Sequence, residues 1–125
     1  MDDDVIVFRY TRANAIRDGV LIDVTETARE AGFRIPVAIT AAAWARCVTV
    51  PEGVTGQDER GRLWDVLWML YFAIRKSPGG SELRYYLHVR NSDEEAVPPL
   101  VELKAVCGPG DDAEPVITIM LPEED

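Results

Sequence analysis

The chain has 125 residues, 47% of them hydrophobic and 28% charged, which suits one globular domain and excludes a chain disordered throughout. Acids outnumber Lys and Arg 22 to 13, and the resulting net charge of -9 repels a phosphate backbone, so direct nucleic-acid binding is not expected. The longest apolar run, residues 66–74, is too short to span a bilayer and the N-terminus has no signal-type pattern, so a cytoplasmic protein without membrane association is expected.

In chain order, residues 5–10 alternate weakly and residues 20–24 form a short apolar run after the turn dipeptide Asp18-Gly19, predicting two short strands. Asp23 and Glu26 have capping-box spacing, so a helix is expected over 24–31, ended by Gly32. Residues 33–39 contain Pro36 and read as a linker or an edge strand. Thr40 suits the N-cap of a helix over 41–48, with Trp44 and Cys47 on one face and Pro51-Glu52-Gly53 as the stop.

The strongest helical pattern covers 58–76, opened by Thr55 with Asp58 and closed by Arg75 and Lys76, charges that suit the helix dipole at each end. Leu63, Leu67, Leu70 and Ile74 form one stripe and Trp64, Trp68 and Tyr71 a second, so this helix is expected to be the spine of the core, with Trp68 packed inside it. Asp65 interrupts the pattern, and Arg62 is spaced to pair with it. The set Trp44, Trp64, Trp68, Tyr71 and Phe72 can also be read as a ligand pocket, though aromatics at helical spacing more often fill a core.

Residues 82–90, 100–107 and 116–121 read as three strands joined by an acidic loop at 91–99 and a Gly-Pro loop at 108–115. Paired as a meander, they place Arg84, Tyr86, His88, Arg90, Glu102, Lys104 and Thr118 on one face. Leu83, Leu87, Val89, Val101, Leu103, Ile117 and Ile119 then line the other. The expected fold is a single α+β domain over 1–125, in two layers: helices on one face of a mainly antiparallel sheet that ends in a three-strand meander.

Two places can carry function. On the polar sheet face, His88 could act as a general acid or base with Glu102 as its partner, while Arg84, Arg90 or Lys104 stabilises developing negative charge. The same alternation also gives the ordinary wet face of any one-sided sheet. The other place is the set of loop acids Asp93, Glu94, Glu95, Asp111, Asp112 and Glu114, which either keep the protein soluble or compete for a basic groove by imitating nucleic acid.

Gly108-Pro109-Gly110-Asp111-Asp112 lacks the lysine of a phosphate loop and the acid spacing of a calcium loop, and reads as a hairpin turn. His88 is the sole histidine, and Cys47 and Cys107 have no metal or redox spacing, so neither metal nor cofactor is expected. Pairing of the two thiols, or a Cys107–His88 dyad, depends on proximity in the fold.

The stretches Leu21-Ile-Asp-Val-Thr-Glu-Thr-Ala-Arg-Glu-Ala-Gly-Phe33, Gly61-Arg-Leu-Trp-Asp-Val-Leu-Trp-Met69 and residues 103–121 resemble an uncharacterised family of short bacterial proteins carried on plasmids, conjugative elements and other mobile DNA. The resemblance covers nearly the whole chain and implies company rather than chemistry. Such elements carry accessory proteins that block host defences. In outline, helices followed by an antiparallel sheet with a His-bearing face also resemble the fold of barnase-like and RelE-like ribonucleases and toxins, from which the acidic charge and single histidine depart. The leading expectation is a non-catalytic inhibitor, of anti-CRISPR or antirestriction type, binding a host protein or nucleoprotein complex through its acids. The alternative is a small metal-independent ribonuclease working through Arg84, His88, Glu102 and Lys104.

Overall fold

The structure, a computed structural model, describes residues 9–125. The strand expected over 5–10 falls mostly outside the described residues, and Arg9 and Tyr10 lie in no strand. Helix α1 (Arg12–Arg17), which the sequence pattern does not reveal, begins at a capping box in which Thr11 Oγ1 accepts from Asn14 N and Asn14 Oδ1 accepts from Thr11 N. Strand β1 (Leu21–Asp23) follows, then α2 (Thr25–Glu30).

Asp23 does not form the expected box with Glu26. Its Oδ1 instead accepts from the amide and hydroxyl of Thr25, and the N-cap of α2 is Val24, without a side-chain cap. Gly32 does take a positive φ, 108°, and a Cβ there would stand 3.0 Å from Tyr71 Cε2, so glycine serves both the turn and the packing of α2 on the long helix.

Strand β2 (Val37–Thr40) starts directly after Pro36. It is no edge strand: it lies between β1 and the last strand, and Pro36 avoids the ladder by sitting one residue ahead of it while its carbonyl accepts from Ile117 N. Helix α3 (Ala41–Cys47) is capped by Thr40, whose Oγ1 accepts from Ala43 N at 3.2 Å. Helix α4 (Glu59–Lys76) is capped by Asp58, which accepts from Gly61 N at 2.6 Å; Thr55 plays no part in the cap and is held by Asp93.

Strands β3 (Glu82–His88), β4 (Leu100–Pro109) and β5 (Pro115–Met120) pair antiparallel in sequence, as expected. Among the described residues the sheet has the order β1-β2-β5-β4-β3 and is mixed, because β5 also pairs parallel with β2. Helices α2, α3 and α4 bury Ala28, Ala43, Cys47, Val66, Leu67 and Leu70 against Val37, Ile39, Leu103 and Ile119 of the sheet. The opposite face is partly covered too, by α1 at Thr118 of β5 and by the C-terminal tail at Lys104 of β4, so the two-layer expectation holds only in part.

The two stripes of α4 have different fates. Leu63, Leu67 and Leu70 are buried, but Ile74 at the end of the same stripe is 40% exposed, and Trp68 is 38%, Met69 40% and Phe72 43% exposed. Trp68 stacks on Trp64 and Tyr71 with ring centroids 5.8 and 5.6 Å away and meets Phe72 edge-on, forming an aromatic ridge along the helix. A helix lying on a sheet buries one side fully, so the second stripe is divided: Trp64 and Tyr71 pack against the core while Trp68 stands exposed. Asp65 is not paired with Arg62, whose buried guanidinium donates from Nε to Cys47 O and from Nη2 to Asn91 Oδ1.

Leu67→Ala is therefore expected to cost about 2–5 kcal/mol by opening a core cavity. Trp68→Ala should cost clearly less, because over a third of its surface is already wet. Urea titrations of both variants check the ranking.

Candidate functional site

The register puts the expected polar residues on one face of the β3–β4 half: Arg84 lies opposite Lys104, Tyr86 opposite Glu102 and His88 opposite Leu100. What each side chain does there is largely internal. Glu102 Oε2 accepts from Tyr86 Oη at 3.3 Å and stands 3.5 Å from Arg84 Nη1. Lys104 is buried, and its ammonium donates to the backbone oxygen of Glu124 in the tail. His88 Nδ1 lies 2.8 Å from Pro98 O, where only the ring nitrogen can donate. Arg90 donates to the carbonyls of Ser92, Glu95 and Ala96, so its guanidinium organises the acidic loop rather than facing a substrate. Arg84 and Glu102 are thus brought together, Lys104 is covered, and His88 has the Pro98 carbonyl as its partner.

The loop acids divide as well. Asp111 caps α1 from a distant part of the chain, its two oxygens accepting from Arg12 N at 2.8 Å and Ala13 N at 3.0 Å. Beside it, Arg12 donates to Thr118 Oγ1 and Ile117 O, pinning α1 to β5. Burial lowers the pKa of this guanidinium, and Asp23, Asp111 and Glu114 oppose that shift. Asp93 takes the hydroxyl and amide of Thr55. Glu114 accepts from Asp112 N within the hairpin tip. Glu94, Glu95 and Asp112 are exposed and accept no hydrogen bond through their carboxylates among the described residues.

A cavity of about 650 Å³ opens at the N-terminus of α4 beside Glu30, Asp58, Arg60, Trp64 and Asp65. Its three carboxylates, one of them already capping the helix, make it a poor anion site. Among the described residues no group of three or more His, Cys, Asp or Glu could hold a metal ion, and no helix is long and apolar enough to cross a membrane.

The thiols do not meet. Cys47 is buried in α3 near Leu87, His88 and Val89, while Cys107 is exposed at the far end of β4, opposite Ser81 and Ile117. Seven residues of β3 separate Ser81 from His88, about 24 Å of strand at ~3.4 Å per residue, which rules out both an internal disulfide and a Cys107–His88 dyad in this fold. Burial raises the Cys47 thiol to about 11, with Arg46 and Arg62 only partly offsetting it, so it has no nucleophilic character at neutral pH.

Sequence reasoning favoured core over pocket for the aromatic set and did not place the groove of about 340 Å³ where Trp68 and Met69 meet Tyr86, Leu87, His88 and Leu100 along the outer edge of β3. The signal was available in α4 itself. Two apolar stripes on a helix laid against a single sheet cannot both be buried fully.

The model of a family of unknown function (DUF6573) matches residues 2–125, and the chain belongs to that family. No curated protein and no solved structure matches it.

Two measurements follow from these groups. The two amide donors hold Asp111 below the usual carboxylate range, so its contribution to stability is present above the unfolded value of about 4 and is lost as pH falls through the folded value. Asp111→Ala should accordingly melt at a lower temperature than the parent at pH 7, with the gap closing at strongly acid pH; a gap independent of pH would mean that the carboxylate charge is immaterial. Titrated with a chromogenic disulfide reagent, the native chain should react at one thiol, Cys107, and at both only in denaturant.

Proposed function

We propose that this chain is a non-catalytic binding protein, of the accessory kind carried on mobile DNA. In this reading it inhibits a host defence complex by presenting an acidic surface to a groove that normally holds nucleic acid. The observation that carries the reading is the contrast between the two candidate regions. The cations of the polar sheet face are engaged by the chain's own carbonyls and by Glu102, which leaves none uncommitted beside His88, whereas Glu94, Glu95 and Asp112 are exposed on loops of a chain with net charge -9. A general acid–base enzyme needs a titratable group free to meet its substrate next to an uncommitted cation. A mimic needs uncommitted negative charge.

The roles of the acids within the fold refine the surface. Asp93 and Asp111 serve mainly to hold Thr55 and α1 in place, so the contact is assigned to Glu94, Glu95 and Asp112, with Glu114 shaping the tip on which Asp112 sits. The partner is a basic protein or nucleoprotein, not free nucleic acid.

Expression in bacteria with an active CRISPR or restriction system should raise the transformation efficiency of a targeted plasmid. The triple variant Glu94→Gln, Glu95→Gln, Asp112→Asn should lose most of that effect while keeping its melting temperature. Binding to the complex should weaken as salt rises, because charge attraction is screened over about 8 Å at physiological ionic strength. No protection against any of several such systems, or an affinity flat with salt and equal in the triple variant, would overturn the proposal.

A further inference from the structure

The two edges of the sheet are built differently. β1 has three residues, and α1 packs beside it. β3 has seven, with no proline, lysine or bulge, and among the described residues it pairs with β4 alone. Long, regular edges of this kind are what monomeric proteins normally shorten, charge or cover, since their unpaired amides offer a template for another strand.

The direction of those amides follows from the ladder. Cys107 N donates to Ser81 O at 2.7 Å and Val89 N to Pro99 O at 3.0 Å. Odd-numbered residues of β3 therefore bond to β4, and Glu82, Arg84, Tyr86 and His88 turn their N–H and C=O groups outward. Their side chains stand on the polar face, while Trp68 and Met69 of α4 flank the same edge from the other side of the sheet.

From this edge we infer that the chain forms a two-fold dimer, β3 pairing antiparallel with β3 of a second copy to give one ten-strand sheet. The sequence of the strand is self-complementary in the register that places Tyr85 opposite itself. Arg84 then lies opposite Tyr86 of the second copy, and Glu82 opposite its His88, a carboxylate facing an imidazole at both ends of the strand pair. All four outward-facing residues exchange backbone hydrogen bonds in that register, and a one-residue slip would set outward amides against inward ones. On the helical side, the two-fold brings the exposed ridges around Met69 together, which accounts for large apolar side chains beside an open edge.

The inference is independent of the acidic surface, which lies on the loops. It is tested by sedimentation velocity on the complete chain over micromolar concentrations. The parent should sediment with twice the mass of the 13.9 kDa chain. Tyr86→Pro removes an outward amide without touching the β4 ladder, and should shift the dimer to monomer with at least a tenfold weaker association while the circular dichroism spectrum is retained.

The Glu82–His88 pairing gives an arm that does not depend on a proline. Glu82→Lys and His88→Glu should each weaken association, and the double variant should restore it toward the parent. A monomeric parent, a Tyr86→Pro variant that remains dimeric, or a double variant no better than the singles would overturn the β3 interface.

Discussion

β5 is the strand through which the two halves of the chain meet. On one side it pairs parallel with β2, through Val37, Ala38 and Ile39, and on the other antiparallel with β4. A parallel pair cannot be closed by a tight turn; it needs a long crossover, and here the crossover contains α3, α4, β3 and β4. The placement of α4 over the inner face follows from that connection, and so does the burial of Leu67, Leu70 and Leu103. The pairing also brings residues about a hundred positions apart into contact: Arg12 and Asp111, Arg12 and Thr118, Thr40 and Glu124.

These distant contacts explain why charges that looked available in the sequence are committed in the fold. Asp111 meets the free amides of α1 and Lys104 meets a free carbonyl of the C-terminal tail, each satisfying a backbone group that would otherwise lack a partner. Arg62 does the same for the last turn of α3. The chain's ionisable groups work in large part as connectors between elements, and the surface left without such a task consists of exposed acids on the loops and, at the opposite level of polarity, an aromatic ridge beside the outer strand β3.

Most of the elements were legible from local pattern. The capping residue Thr40, the glycine after α2, and the alternation in β3 and β4 each act over a few residues, so their physics is contained in a short window; the cap of α4 was placed three residues early, on Thr55 instead of Asp58. The failures have local causes as well. At six residues α1 is too short to display periodicity, and Pro36 was weighed as an edge signal although it stands one position outside its strand.

By itself the sequence determined an α+β chain, the identity of its long helix, the two faces of its C-terminal strands and the shortage of metal-binding or cofactor motifs. Each of these depends on residue type and spacing along the chain. Only the tertiary structure decided which stripe of α4 is inside, that β2 lies within the sheet, that Cys47 and Cys107 are apart, and which charges are held. Those outcomes depend on which side of one element meets another. Spacing along α4 makes the Leu67 and Trp68 stripes equally apolar, and a single sheet can cover only one of them fully.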